Sequence, residues 1–275
     1  MLKGHGSLPS RVEMPVLIYS PEDVVSLGAA EALRSLESFH KTDPTAGMRT
    51  FRSNGITLIE TPGHHLYADH LDDLGADSIV ILSRHSSAKS VPSFTVHPVG
   101  NWTADTKIGG KPRELSTAAP VMMLQVLKSL AQRAPPHFSV TYEATHHGPF
   151  LRTPTLYAEV GGNEEVWQDS KMHRLLAEAV RDALGQTAPF ERIAVGIGGM
   201  HYESKFARLA LEGKFAFGHM MPKHHAGELD MLGQAIERCH PRPEVAVIEW
   251  KSFNSEERNR VIARLSNLGM DHVRV

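Results

Sequence analysis

Residues 14–23 read Met14-Pro15-Val16-Leu17-Ile18-Tyr19-Ser20-Pro21-Glu22-Asp23. An unbroken apolar run of this length, with no alternation, predicts a short strand covered on both faces, as in parallel sheets. A helix-start signature comes directly after it: a hydroxyl cap, proline at the first helical position and acids in the first turn. The helix is expected to run to about residue 39. A buried strand feeding straight into a helix is the repeating unit of α/β folds, so this stretch sets the reading of the rest.

The unit recurs down the chain. Residues 56–59 and 78–82 are short apolar strands, and 115–134 is a helix capped at Ser116 or Thr117 and stopped by Pro135-Pro136. A strand is expected at 138–142, a helix at 166–184 ended by Gly185, and a strand at 193–197. Helices follow near 204–211 and 227–238, then a strand at 245–249 and a last helix opened by Ser255-Glu256-Glu257. The expected class is α/β, a mixed and mostly parallel sheet flanked by helices. No linker divides the chain, so residues 14–275 read as a single α/β domain behind a flexible N-terminal tail, 1–13.

Composition narrows the function classes. The 29 Lys and Arg against 31 Asp and Glu exclude a uniformly polycationic surface, though not a local basic patch. A single cysteine, Cys239, can form neither an internal disulfide nor a cysteine-rich zinc cage. No apolar run approaches the ~20 residues of a membrane span and no signal-peptide pattern opens the chain, so the expected setting is the cytoplasm. The unusual number is 17 histidines.

Ligands of open α/β sheets bind beyond the carboxyl ends of the strands, and there the histidines collect. Ser83-Arg84-His85-Ser86-Ser87 follows one predicted strand, Ala144-Thr145-His146-His147-Gly148-Pro149 another, Gly198-Gly199-Met200-His201-Tyr202 a third, and Gly218-His219-Met220-Met221-Pro222-Lys223 a fourth. On one sheet these ends would share a rim. Imidazole is the commonest metal ligand and a proton carrier near neutral pH, and zinc hydrolases use three N/O ligands with one position for water. Glu143, His146, His147, Glu159, His201 and His219 can furnish such a set, with His146, His147, Glu159 and His201 the preferred metal ligands. Alternation along an extended segment predicts that only one of His146 and His147 faces the site. His64, His65 and His70 are explained as well by a loop and helix start as by a site. Gly198 and Gly199 suit close backbone approach to an anion, but no complete G-x-G-x-x-G is present.

The ordered combination of LIYSPEDV, YADHLDDLGAD, SRHSSAKSVPSFTVHPVGNW, THHGPFLRTPTLYAEVGGNEEVW, GIGGMHY and FGHMMPKHH, spanning 17 to about 225, resembles the archaeal and plant type of D-aminoacyl-tRNA deacylase. The resemblance implies a fold similar to peptidyl-tRNA hydrolase and nucleoside phosphorylases, zinc dependence, and hydrolysis of the ester joining a D-amino acid to the acceptor end of tRNA. Met200 and His224 depart from that family's usual residues at their positions. On this reading His146, His147 and His201 are catalytic. His85, Ser86, Ser87, Gly198, Gly199, Tyr202 and Lys223 bind substrate, the glycine amides serving as oxyanion or phosphate donors. Arg84, Lys89, Lys111, Arg113 and Lys223 are available for phosphates, and no obligate protein partner is expected. The alternative is a zinc-dependent hydrolase or phosphorylase of a small nucleoside or amide, and a third is an RNA-binding module with a structural metal. Low aromatic content, 7%, disfavours the last.

Overall fold

Val16–Tyr19 forms β1, buried along its whole length, in a computed structural model that describes residues 15–275. The tail expected over 1–13 lies outside the described residues. The remaining elements, in chain order, are α1 (Val24–Leu36), β2 (His40–Lys41), β3 (Arg49–Ser53), β4 (Ile56–Glu60), β5 (Ile79–His85), β6 (Ser93–His97) and α2 (Pro120–Ala131). These are followed by β7 (Ser139–Tyr142), β8 (Thr155–Gly161), α3 (Glu164–Gln168), α4 (Ser170–Leu184), β9 (Arg192–Ile197) and α5 (Ser204–Leu211). The chain ends with β10 (Phe215–Met221), α6 (Leu232–Glu237), β11 (Val245–Ile248), α7 (Ser255–Asn267) and β12 (His272–Arg274).

The α/β class and mostly parallel pairing are as expected, but the strands divide into two sheets. One runs β2-β3-β4-β1-β5-β8-β6-β7 and is mixed; the other runs β10-β9-β11-β12 and is wholly parallel. The unalternating strands are explained by cover on both faces. Leu17 and Tyr19 of β1 enter one core cluster, while Val16 and Ile18 enter another behind the sheet. Likewise Val245 and Val247 of β11 face one cluster, and Ala246 and Ile248 a second. The largest cluster joins the sheets, running from Leu17 and Val80 through Leu124 and Leu127 of α2 to Phe206 and Phe217.

Local chemistry moves several boundaries. The cap of α1 is Asp23, whose side chain accepts from the Ser26 amide, so Ser20 and Pro21 form a turn before the helix. α2 starts at Pro120, because Ser116 is buried and its hydroxyl donates to the Pro149 carbonyl. The helix expected over 166–184 is two, since Asp169 ends α3 and caps α4 by accepting from the Lys171 amide. The last helix opens at Ser255 as expected, on a capping box between Asn254 and Glu257.

Candidate functional site

In the larger sheet, β8 lies between β5 and β6. Its period of two puts Tyr157 and Glu159 on one face. Register sets Thr95 of β6 opposite Glu159 and His97 opposite Tyr157, and the latter two rings stack at 5.0 Å and 11°. On the other side β5 ends at His85, whose Nδ1 is 3.5 Å from Glu159 Oε2. Just past β7 come Glu143, His146 and His147. The second sheet supplies the remaining wall. The segment leaving β7 runs against the loop after β9, with the Ala144 amide donating to the His201 carbonyl and the Glu203 amide to the Tyr142 carbonyl. His201 and Tyr202 therefore meet His85 and Glu143 across the junction.

Glu143 is the hub. It is 0% exposed, with His201 Nε2 2.8 Å from Oε2, His85 Nδ1 3.0 Å from Oε1 and His146 Nε2 3.5 Å from Oε2. Burial works to raise the pKa of Glu143 and of Glu159. The imidazoles of His201 and His85 around Glu143, and of His85 and His97 around Glu159, hold both well below the usual carboxylate range. The same carboxylates outweigh burial at His85 and raise it to about 11, and His97 is raised too. His146 and His147 go the other way. Burial and the charge on His97 depress both, His147 to about 3, so both stay neutral.

Three observations fit a metal cation. Both Glu143 oxygens and His97 Nε2 are buried without an aligned hydrogen bond, although nitrogens and oxygens crowd around them. The Nδ1 atoms of His97, His146 and His147 lie 3.0, 2.8 and 2.6 Å from the carbonyls of Pro98, Ala144 and Gly148. Donation there fixes the tautomer and leaves the Nε2 lone pairs of the neutral His146 and His147 for a ligand, as metal-binding histidines require, and His97 would join them on giving up its Nε2 proton. Finally, two interior carboxylates need a positive charge, which imidazolium or a metal can supply. Donor atoms lie within 4.8 Å of one another in the trios His97, His146, His147 and His85, Glu143, His201, and in His97, Glu143, Glu159.

The cluster floors a cavity of about 340 Å³. Its walls include the apolar Leu66 and Ile108 and the polar Asp23, Arg84 and Ser86. Asp23 and His65, each about 1% exposed, are 3.5 Å apart, and His65 Nδ1 reaches the Tyr157 hydroxyl at 3.1 Å. A polar chain thus runs from the cap of α1 to the ring stacked on His97.

His85, Ser86, His146, His147, Glu159 and His201 all line this cavity. Several expectations are overturned. His146 and His147 face the same side, because His147 adopts φ of +45°, which breaks the alternation of an extended chain. His219 is no ligand: fully buried in β10, it has Nδ1 3.1 Å from the Thr145 hydroxyl and Nε2 2.9 Å from the Ser116 carbonyl. Gly198 and Gly199 are not free anion donors, since their amides bond the Met221 carbonyl and the Ser252 hydroxyl, each at 2.8 Å. Ser87 is absent from the cavity wall, and its carbonyl closes a turn with the Ser90 amide. Lys223 and Tyr202 line a neighbouring cavity, although the Tyr202 hydroxyl reaches back to His85 Nε2 at 2.8 Å. His97, His65 and Asp23 were missed as site residues. His97 ends an apolar run, Phe94-Thr95-Val96, which is the signal that finds the other histidines.

Comparison with known proteins identifies the family to which this fold and sequence correspond. The profile of the D-aminoacyl-tRNA deacylase family matches residues 73–273. The D-aminoacyl-tRNA deacylase of Ignicoccus hospitalis is 37% identical over 93% of this chain and 97% of its own, and that of Thermococcus onnurineus 33% identical over 95% and 100%. A crystal structure of a conserved protein of unknown function superposes with a TM-score of 0.88 at 29% identity, covering 96% of each chain.

Proposed function

Since the chain belongs to the D-aminoacyl-tRNA deacylase family, we propose that it hydrolyses the ester of D-aminoacyl-tRNA to free D-amino acid and tRNA, at the cluster of Glu143, Glu159 and five histidines. The observation that carries the assignment of the site is the convergence of His85, His97, His146, His147 and His201 on two buried carboxylates at the floor of a cavity of aminoacyl size.

An aminoacyl ester is already activated, so its hydrolysis asks for a placed water, a proton acceptor and stabilisation of the developing oxyanion. His146 and His147, neutral at neutral pH and with Nδ1 committed to backbone carbonyls, present Nε2 as the acceptor for the proton of the attacking water. The same imidazole returns it to the leaving ribose oxygen. His85, charged by its carboxylate neighbours, donates through Nε2 to the Tyr202 oxygen. That leaves the tyrosine O–H to donate to the oxyanion, the role the occupied Gly198 and Gly199 amides cannot take. Zinc suits a donor set of imidazole and carboxylate; held by His85, Glu143 and His201, it would polarise the ester carbonyl and acidify water beside His146 and His147, whereas held by His97, His146 and His147 it would take up their Nε2 lone pairs and replace them as the activator of water. The cavity is lined by both apolar Leu66 and Ile108 and polar Asp23 and Arg84, and a wall that excludes the side chain of one enantiomer would sort the two. A charged-tRNA substrate supports a cytoplasmic setting. Separately, no helix among the described residues is long and apolar enough to cross a membrane.

The test is hydrolysis of D-Tyr-tRNA and L-Tyr-tRNA with and without chelator. Cleavage of the D-ester alone, lost with chelator and restored by zinc, is the expected result. D-selective cleavage indifferent to chelator would remove the metal from the reading, and no cleavage of either ester would overturn the function.

A further inference from the structure

Beside the histidine cluster, at the carboxyl edge of the second sheet, lies a separate cavity of about 600 Å³. Four of its lining side chains are cations drawn from three places: Lys205 and Arg208 from α5, Lys223 just after β10, and Lys251 after β11. Convergence from separate elements distinguishes this from an ordinary solvated stripe along one helix. Glu249 sits 3.4 Å from Lys205, and Glu212 2.8 Å from Arg208. Lys223 and Lys251 have no carboxylate partner among the described residues. In a chain of net charge -2, this is a local reversal of sign.

The backbone adds to it. The first residues of α5, Ser204 and Lys205, line the cavity, and the cap residue Glu203 makes no side-chain capping bond. The positive end of the helix dipole therefore lies at the same wall as the lysines. By contrast, the basic residues singled out in the sequence do not gather. Arg113 is paired with Glu228 and Asp230, Lys111 lies over the Phe150 ring, and Arg84 lies over Trp167. Of those five, Lys223 alone lines this cavity.

Tyr202 joins the two cavities, with its hydroxyl on His85 and its side chain lining the basic one. An ester placed at His146 and His201 thus has the Leu66 and Ile108 cavity on one side and the lysine cavity on the other. The nucleotide bearing the ester brings its 5′ phosphate within one sugar of the reacting carbonyl. We propose that the cavity formed by Lys205, Arg208, Lys223 and Lys251 binds the phosphodiester groups of the single-stranded 3′ end of the RNA, with Lys223 and Lys251 as the phosphate contacts. The inference rests on the deacylase reading, and it fixes the direction in which the substrate lies: amino acid toward the first sheet, RNA backbone across the second.

The experiment compares the wild-type chain, the double variant Lys223→Glu/Lys251→Glu, and the control Lys171→Glu on α4, outside this cavity. Each is assayed on D-Tyr-tRNA over a range of salt and on 3′-D-tyrosyl-adenosine, which has the ester and the sugar but no phosphate. The double variant is expected to raise KM for the tRNA by at least ~10-fold and to flatten its salt dependence, by a slope of roughly 1.4 for two single-strand contacts. Its loss is confined to the phosphate-bearing substrate, and the control matches wild type on both. A double variant with wild-type KM and salt slope on tRNA overturns the phosphate cavity and leaves the deacylase reading standing. Equal losses on both substrates overturn it as well. Failure of the wild type to cleave either ester overturns the deacylase reading itself.

Discussion

His201 Nε2 stands 2.8 Å from Glu143 Oε2, although one residue follows a strand of the second sheet and the other a strand of the first. The contact makes the junction between the sheets the centre of the site. Glu143 is also the carboxylate nearest His85 and His146, so its charge governs the cluster. Glu143→Gln keeps the shape and removes the charge. We expect kcat on D-Tyr-tRNA to fall by roughly 10²-fold or more, the scale of losing a preorganised electrostatic group, with KM little changed. Purified variant retaining half the wild-type kcat would refute the hub role.

Tyr202 tests a different element of the mechanism. If its O–H stabilises the oxyanion, Tyr202→Phe lowers kcat by about 10²-fold while His85, still held by two carboxylates, keeps its place. Single-turnover rates isolate this from product release. An unchanged single-turnover rate would return the search for the oxyanion donor to the imidazoles and the metal.

The layout of the fold was legible where physical chemistry is local. Uninterrupted apolar runs such as 16–19 and 245–248 identified strands buried on both faces, and turn residues identified the helix starts. The division into two sheets was not legible, because period-two burial looks the same in either sheet; only pairing partners distinguish them. The site shows the same limit. His85, His146 and His201 follow strands that could be read, so they were found. His97 ends β6, whose run of Ser93-Phe94-Thr95-Val96 is only half apolar, and its role is set by register against Tyr157 of β8, a partner 60 residues away. His219 has the same sequence context as the histidines that line the cavity, and only the occupancy of both its nitrogens removes it.

Gly28 shows how packing can reverse a propensity. It lies within α1, where Gly→Ala ordinarily gains about 1 kcal/mol. A Cβ at this position would meet the His173 ring of α4 at 2.0 Å. That ring is buried, with Nε2 2.7 Å from the Trp167 carbonyl, and cannot swing away cheaply. Gly28→Ala is therefore expected to destabilise by about 1–3 kcal/mol, the range for overpacked cores. In denaturant titrations the loss should shrink in the Gly28→Ala/His173→Ala background, because the two changes couple through one contact. A stabilised Gly28→Ala would show that α1 and α4 shift apart freely.

His219 gives the fold a defined response to acid. The Thr145 hydroxyl accepts from the Met220 amide and so donates its own hydrogen to His219 Nδ1, leaving Nε2–H for the Ser116 carbonyl. A second proton would have no acceptor. Burial accordingly pushes its pKa down to about 4 from an ordinary 6.5. The unfolded chain takes up that proton as pH falls below 6.5, and the folded chain does not until about 4, so this residue's contribution to stability is complete above 6.5 and diminishes between those values. The full loss is about 3 kcal/mol, from the interval between 6.5 and about 4 at ~1.4 kcal/mol per pH unit. His146 and His147 are depressed in the same direction while His85 and His97 are raised, so the informative quantity is a difference. His219→Gln keeps an N–H donor for Ser116 and cannot titrate. Its unfolding free energy, measured against denaturant at about pH 7, 5.5 and 4.5, should fall less steeply than that of wild type over that window. Parallel pH profiles for the two proteins would mean that His219 accepts a proton in the folded state, and that the Thr145 hydroxyl turns to receive it.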